Sequence, residues 1–225
     1  MDPDLELIYV GDPMCSWCWG FAPVLDQLDQ RFDIPLRVVA GGLRPGPAAE
    51  EMDDAMRRML LHHWTQVETA SGQPFDHKGL DREGWRYDTM VPDMAVVTMR
   101  HMNEAKTLPF FTALQEAFYV DGVDITDPAV YADMVQQFVV DPDEFVAQLG
   151  SEDMRDATIA DFSAAQHLGV TGFPTLLLRD GEQTYIVTRG YTPFDPVDEG
   201  LRGFLAEHHP LVVSTLVCDL DGDPC

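Results

Sequence analysis

The chain has 225 residues, 39 acidic against 14 basic, giving a formal net charge of −25. Such a surface repels phosphate backbones and argues against a nucleic-acid partner. The hydrophobic content of 45% suits a globular protein, and no apolar run reaches the roughly 18 residues of a membrane-spanning helix. The opening MDPDLELIYVG lacks the basic region of a secretory signal and enters a strand at once, which points to the cytoplasm.

In chain order, LELIYVG (Leu5 to Gly11) is an almost unbroken apolar run of strand length, as expected for a strand covered on both faces. GDPMCSWCWGF follows, with two of the four cysteines three positions apart. Phe21, Val24, Leu25, Leu28 and Phe32 then recur at helical spacing, which places Cys15 near a helix N-terminus, and Pro23 is expected to kink that helix. PLRVVAGGL (Pro35 to Leu43) reads as a second strand closed by glycines, completing a βαβ unit.

From about residue 48 to 167 the patterning turns helical. In AAEEMDDAMRRMLLHHWTQVETA, Met52, Met56, Met59, Leu60 and Trp64 are expected on one face. Further helices are predicted at Pro92–Asn103, Leu108–Val120, Pro128–Phe138, Pro142–Leu149 and Ser151–Leu168, several opened by Ser, Thr, Asp or Pro. PTLLLRDGEQTYIVT (Pro174 to Thr188) is two apolar runs about Asp180-Gly181, a hairpin signal, and a last helix is expected over Pro196–His208. The order β-α-β, helical block, α-β-β-α is that of a thioredoxin-like α/β fold with an inserted all-helical subdomain. The two halves of the thioredoxin-like domain would span 5–47 and 151–208, the insertion 48–150 and a C-terminal tail 209–225.

A C-x-x-C at the start of the helix in a βαβ unit points to thiol–disulfide exchange. Unpaired N–H groups and the positive helix end favour a thiolate at the first cysteine. The second, one turn on, can close an intramolecular disulfide. Cys15 would attack a substrate disulfide, and Cys18 would resolve the mixed disulfide, with both steps reversible. No bound cofactor is needed, because the cysteines carry the electrons.

GDPMCSWCWGF, a helical block, and then GVTGFPTLLL (Gly169 to Leu178) resemble the DsbA-like thioredoxin-fold family, and within it the FrnE-like protein-disulfide isomerases, over roughly residues 5 to 208. The resemblance implies that Cys15 and Cys18 are the active-site pair. It also implies that Pro174 follows a cis peptide bond and that the Phe173 backbone pairs with an extended substrate segment. The expected partners are protein or peptide thiols and disulfides, with glutathione or a thioredoxin supplying electrons. Where DsbA-type members carry Pro-His between the cysteines, this chain carries Ser16-Trp17, which offers no imidazole to a thiolate. Its disulfide is therefore expected to be a weaker oxidant, suited to reduction or isomerisation. Trp17 and Trp19 are expected to form an apolar collar at the sulfurs, with Trp19 equally suited to the core.

Other readings compete. Zinc held by the pair would need two distant ligands, and the remaining cysteines, Cys218 and Cys225, are not spaced as a second knuckle, so no metal is expected. Kappa-class glutathione transferases and hydroxychromene-carboxylate isomerases share the helical insertion but generally lack the second cysteine. A redox-switched binding module or chaperone would use the pair as a switch. Cys218 and Cys225 could form a local disulfide, relay oxidising equivalents or remain as two thiols. Glu6 on the first strand could move protons to Cys18 or sit solvated at an edge, and His167 would complement a helix C-terminus.

Overall fold

The computed structural model describes residues 5–82 and 84–209. The tail from residue 210 onward, with Cys218 and Cys225, lies outside the described residues. Strand β1 (Leu5–Gly11) is the second of four in the main sheet, whose order places β2 (Leu36–Ala40) and β5 (Thr175–Asp180) on either side of it and β6 (Gln183–Arg189) beyond β5. β1 runs parallel to β2, from Leu7 opposite Leu36 to Gly11 opposite Ala40, and antiparallel to β5. A neighbour on each side and packing on both faces account for the unbroken apolar run. Leu5, Leu7 and Tyr9 enter the main core, while Ile8 and Val10 meet Val39, Ala165 and Leu177 on the opposite face.

Helix α1 (Ser16–Arg31) joins β1 to β2 and buries Phe21, Val24, Leu25 and Leu28. It continues through Pro23, which has no N–H to donate to the Trp19 carbonyl four residues back. The Gln73 side-chain amide donates to that freed carbonyl instead, at 3.2 Å, so the helix interruption is satisfied from outside.

A two-strand ribbon of β3 (Glu50–Glu51) and β4 (Arg86–Tyr87) frames α2 (Asp54–Ser71). The helix expected through AAEEMDD begins only at Asp54. The Asp53 side chain caps it by accepting from the Met56 N–H, and residues 50–51 are spent on pairing with β4. Met56, Leu60, Trp64 and Val67 are its buried face, whereas Met52 precedes the helix and Met59 is exposed. Helices α3 (Met90–Met102), α4 (Thr107–Tyr119), α6 (Pro142–Leu149) and α7 (Glu152–His167) stand within two residues of their expected bounds. The stretch expected as one helix over 128–138 is broken. A single α turn, α5 (Tyr131–Met134), lies between two 3-10 turns, and Val139 ends the run in a left-handed conformation at φ 58°. In the β5–β6 hairpin the loop is Gly181-Glu182, one residue later than the expected turn, because Asp180 pairs with Gln183. Helix α8 (Phe194–His208) ends the described fold.

One hydrophobic cluster joins β1, α1 and α8 to the helices between β2 and α7, including Trp64, Phe118 and Phe145. Trp64 packs against Phe75, Phe118 and Tyr119 at centroid separations of 5.2, 6.0 and 5.1 Å. The chain is therefore a mixed α/β protein with a thioredoxin-like order of elements, its helical segment sharing the core beneath the sheet.

The outer edge of β2 would leave backbone groups unpaired, and a buried ion pair serves them. Asp161 on α7 receives both terminal nitrogens of Arg100 on α3, at 2.7 and 2.8 Å, and also the Ala40 N–H at 2.9 Å. Arg100 in turn donates to the Val38 carbonyl at 2.7 Å. Removing one partner strands the other charge away from water. Arg100→Ala is expected to cost roughly 3–5 kcal/mol in chemical denaturation, against about 0–1 kcal/mol for loss of an exposed ion pair.

Candidate active site

Asp12, in the turn between β1 and α1, builds the site. Its carboxylate accepts the Met14 N–H at 2.8 Å and, across the molecule, the Leu43 N–H at 2.7 Å. Its own carbonyl accepts the Cys15 N–H at 3.0 Å. The Tyr87 hydroxyl donates to the Met14 carbonyl immediately before Cys15. The loop is thus held from the ends of β1 and β2 and from β4, and Cys15 becomes the N-cap residue of α1. The Cys15 carbonyl then accepts from the Cys18 and Trp19 N–H groups at 2.9 and 3.1 Å.

Both cysteines are thiols in this structure. Cys15 is 7% exposed and Cys18 0%, so of the pair only Cys15 keeps any exposed surface. The Cys15 thiol lies 3.7 Å from the Phe173 carbonyl oxygen, a contact across 158 positions of sequence. The Phe173–Pro174 peptide bond is cis. Pro174 is buried, and its carbonyl accepts the Gly190 N–H at 2.7 Å, anchoring this segment to the end of β6. The Phe173 ring lies over Gly41, where an added Cβ would come within 2.4 Å of it, so the glycine that closes β2 makes room for the segment facing Cys15.

The dipeptide between the cysteines divides. Ser16 is buried at the first turn of α1. Trp17 is half-buried, lies 5.8 Å from the Tyr191 ring, and lines an open, largely apolar cleft with His62, Thr65, Gln66, Thr69 and Ala70. Trp19 turns inward: it is 5% exposed, donates its indole N–H to the Pro74 carbonyl at 3.0 Å and stacks on Tyr119. Ser16, Trp17, Phe173 and Pro174 are thus gathered about Cys15, whereas Trp19 supports the site from the core.

The structure separates the other groups considered from sequence and adds two buried ones, Tyr9 and Asp93, that sequence did not single out. Glu6 points away from Cys18, on the same side of β1 as Ile8, and pairs with Arg179 at 2.5 Å. It sits on a central strand, and the β1 residue beside Cys18 is Tyr9. His167 does end α7, where its ring meets the Ser163 carbonyl. Behind Asp12 lies a second buried carboxyl, Asp93, which takes a bond from Thr89 at 3.3 Å and lies against Asp12. Burial, then the Asp12 charge, pushes the Asp93 carboxyl well above the ordinary range. Burial also raises Asp12, against the pull of the Leu43 and Met14 N–H groups. Of the two carboxyls, Asp93 is the one pushed further toward its neutral form. For the Cys18 thiol, burial and then neighbouring Cys15 push its value well up, while the Tyr9 hydroxyl and the Asp12 backbone N–H act in the opposite sense. Among the described residues, no three His, Cys, Asp or Glu side chains converge as a metal ion would need.

The raised Asp93 value gives stability a defined pH dependence. Above the ordinary carboxylate range, near pH 4, the unfolded chain releases the Asp93 proton while the folded chain retains it, so stability falls as pH rises until the folded value is passed. Asp93→Asn keeps a donor toward Asp12 and carries no such proton. Denaturant unfolding between pH 4 and pH 8 should show the variant gaining on the natural protein as pH rises.

Comparison with known proteins bears on the fold and the family. In three dimensions the chain is similar to a provisionally assigned protein disulfide isomerase from Nitrosomonas europaea, with a TM-score of 0.84 and 32% identity, covering 91% of this chain and 99% of that one. It is also similar in fold to the cytosolic disulfide reductase DsbM of Pseudomonas aeruginosa, with a TM-score of 0.74, 21% identity and coverage of 92% and 99%. In sequence it is 23% identical over 220 residues to a protein of Halalkalibacterium halodurans named ClpXP adapter protein SpxH, covering 92% of this chain and 70% of that relative. A Bacillus licheniformis protein of the same name is 24% identical, and the match spans 60% of its length. A family model described as the DSBA-like thioredoxin domain matches residues 6–199, taking in both the Cys15–Cys18 turn and the Phe173-Pro174 segment, and on that match the chain belongs to the DSBA-like thioredoxin-domain family.

Proposed function

We propose that the protein is a thiol–disulfide oxidoreductase acting on protein or peptide disulfides, with Cys15 as nucleophile and Cys18 as resolving thiol. The observation that carries this reading is the difference between two neighbouring cysteines: Cys15 keeps some exposure and turns its thiol to the Phe173 carbonyl, while Cys18 is fully enclosed one turn along. Cys15 attacks a substrate disulfide, one substrate sulfur leaves as a thiolate, and a mixed disulfide forms. Cys18 then attacks the Cys15 sulfur, the second substrate sulfur leaves, and the enzyme holds the disulfide. Two electrons have passed to the substrate, and a thiol partner such as glutathione or a thioredoxin restores the reduced pair. The DsbM protein of Pseudomonas aeruginosa has a structure with GSH, which supports glutathione as the small thiol to test first.

The substrate lies along Phe173 and Pro174 on this reading, its backbone pairing with Phe173 as an added strand and its side chains against Ser16 and Trp17. The open apolar cleft beside Trp17 suits a protein segment with an apolar side chain next to its cysteine. No histidine stands between the cysteines, so the dipeptide offers no imidazole to a thiolate at Cys15, and the disulfide favours reduction or isomerisation over strong oxidation. A second reading, a redox-switched binding module, draws on the relatives named ClpXP adapter protein SpxH. On it, partner binding would follow the oxidation state of the pair without turnover. The glutathione-transferase or hydroxychromene-carboxylate-isomerase reading has a fold likeness at 14% identity behind it.

Cys15→Ala should abolish insulin reduction, and Cys18→Ala should accumulate mixed disulfides through Cys15 that a reductant releases. Full reductase and isomerase activity in Cys15→Ala would overturn the mechanism, and binding without turnover in the natural protein would favour the binding module. The Cys15–Cys18 potential, measured against glutathione, is expected below about −180 mV, the value of protein disulfide isomerase; one near −120 mV, that of DsbA, would contradict the reducing assignment.

A further inference from the structure

Beneath the thiol pair lies a buried hydroxyl that the exchange steps above leave unused. Tyr9 is 0% exposed on the face of β1 that packs against α1. Its hydroxyl has no conventional hydrogen-bond partner, although the Cys18 thiol is close enough to interact with it. Burying a hydroxyl in this way costs stability that a phenylalanine would not. The ring itself is well accommodated, stacked 6.2 Å from Phe21 and edge-on at 5.6 Å to Phe111, so packing alone asks for Phe. Room for the ring and its hydroxyl comes from Gly11, where an added Cβ would stand 2.5 Å from the Tyr9 oxygen and 2.6 and 2.8 Å from ring Cζ and Cε1.

We propose that Tyr9 is a further catalytic residue, donating a hydrogen bond to the Cys18 sulfur as it becomes a thiolate in the resolving step. The inference rests on the roles assigned above to Cys15 and Cys18. In that step the Cys18 thiol loses its proton and its sulfur attacks the Cys15 sulfur of the mixed disulfide. The Cys15–Cys18 bond forms, the bond to the substrate sulfur breaks, and the departing thiolate takes up one proton, so the step neither gains nor releases protons overall. Burial and the neighbouring Cys15 both oppose charge on Cys18, and the Tyr9 hydroxyl and the Asp12 backbone N–H are the groups that act against them. Among the described residues, the other ionisable groups that bear on Tyr9 and Cys18 include Cys15, the Asp12 carboxyl and, from α4, Tyr119, none of them a cation.

The test follows 5-thio-2-nitrobenzoate release from 5,5′-dithiobis(2-nitrobenzoate) mixed with the reduced protein in a Cys218→Ser, Cys225→Ser background. The first equivalent reports attack by Cys15, the second resolution by Cys18. Tyr9→Phe should leave the first phase unchanged and slow the second by about 10- to 100-fold, the size of one hydrogen bond to a charged group. The pH midpoint of the second phase should also move upward, because Cys18 has lost a donor to its charged form. An unchanged second phase in folded Tyr9→Phe overturns the proposal, as does equal slowing of both phases. Gly11→Ala, which crowds the Tyr9 ring and hydroxyl together, should slow the second phase and spare the first, and carries the test if Tyr9→Phe does not fold. A first phase that survives Cys15→Ala would instead refute the assignment of the nucleophile, a separate failure.

Discussion

The Asp12 carboxylate is the contact on which the site geometry depends. One oxygen closes the turn that starts α1 and the other reaches the chain leaving β2, so two segments that diverge from adjacent strands are drawn to one buried charge. Asx turns of this kind are local, but here the same side chain does a long-range task as well. Its burial is tolerable because each oxygen has a backbone donor and because the neighbouring Asp93 carboxyl is pushed well toward its neutral form. A pair of carboxyls carrying one charge between them is a less costly occupant of the core than two carboxylates.

From that turn the roles of the sulfurs follow from helix geometry. Cys15 stands at the N-cap, outside the first hydrogen-bonded turn, and its side chain leans toward the Phe173 segment. Cys18, one turn along, points back at β1 and the core. The same rotation separates the two tryptophans. Trp17 remains at the rim beside Tyr191, while Trp19 is drawn under by Tyr119 and the Pro74 carbonyl. The core thus reaches the thiol pair from below and leaves one face of Cys15 open.

Strand alternation decides which β1 residue serves the pair. Glu6 and Tyr9 are three positions apart and so lie on opposite faces, and it is the odd-numbered face that meets α1. A carboxylate was the more obvious proton-handling group to seek in the sequence, but it pairs with Arg179 on the far side of the sheet. A tyrosine in an apolar strand reads as core, and nothing in its local pattern distinguishes it from the phenylalanine that packing would accept.

What the sequence determined by itself was local in origin. The apolar run of β1, the 3.6-residue spacing in α1, the caps of α6 and α7 and the C-x-x-C before a helix each depend on residues within a few positions, so the order of elements and the reactive pair could be read directly. The broken helix at 128–138 and the β3–β4 ribbon could not, because a left-handed Val139 and the pairing of Glu50 with Tyr87 are settled by neighbours that local pattern does not contain. Only the tertiary structure brought Phe173 to Cys15, Leu43 to Asp12 and Arg100 to Asp161, and only it turned Tyr9 toward Cys18. These groups are buried and polar, and a buried polar group is defined by its partners across the fold, which sequence spacing does not record.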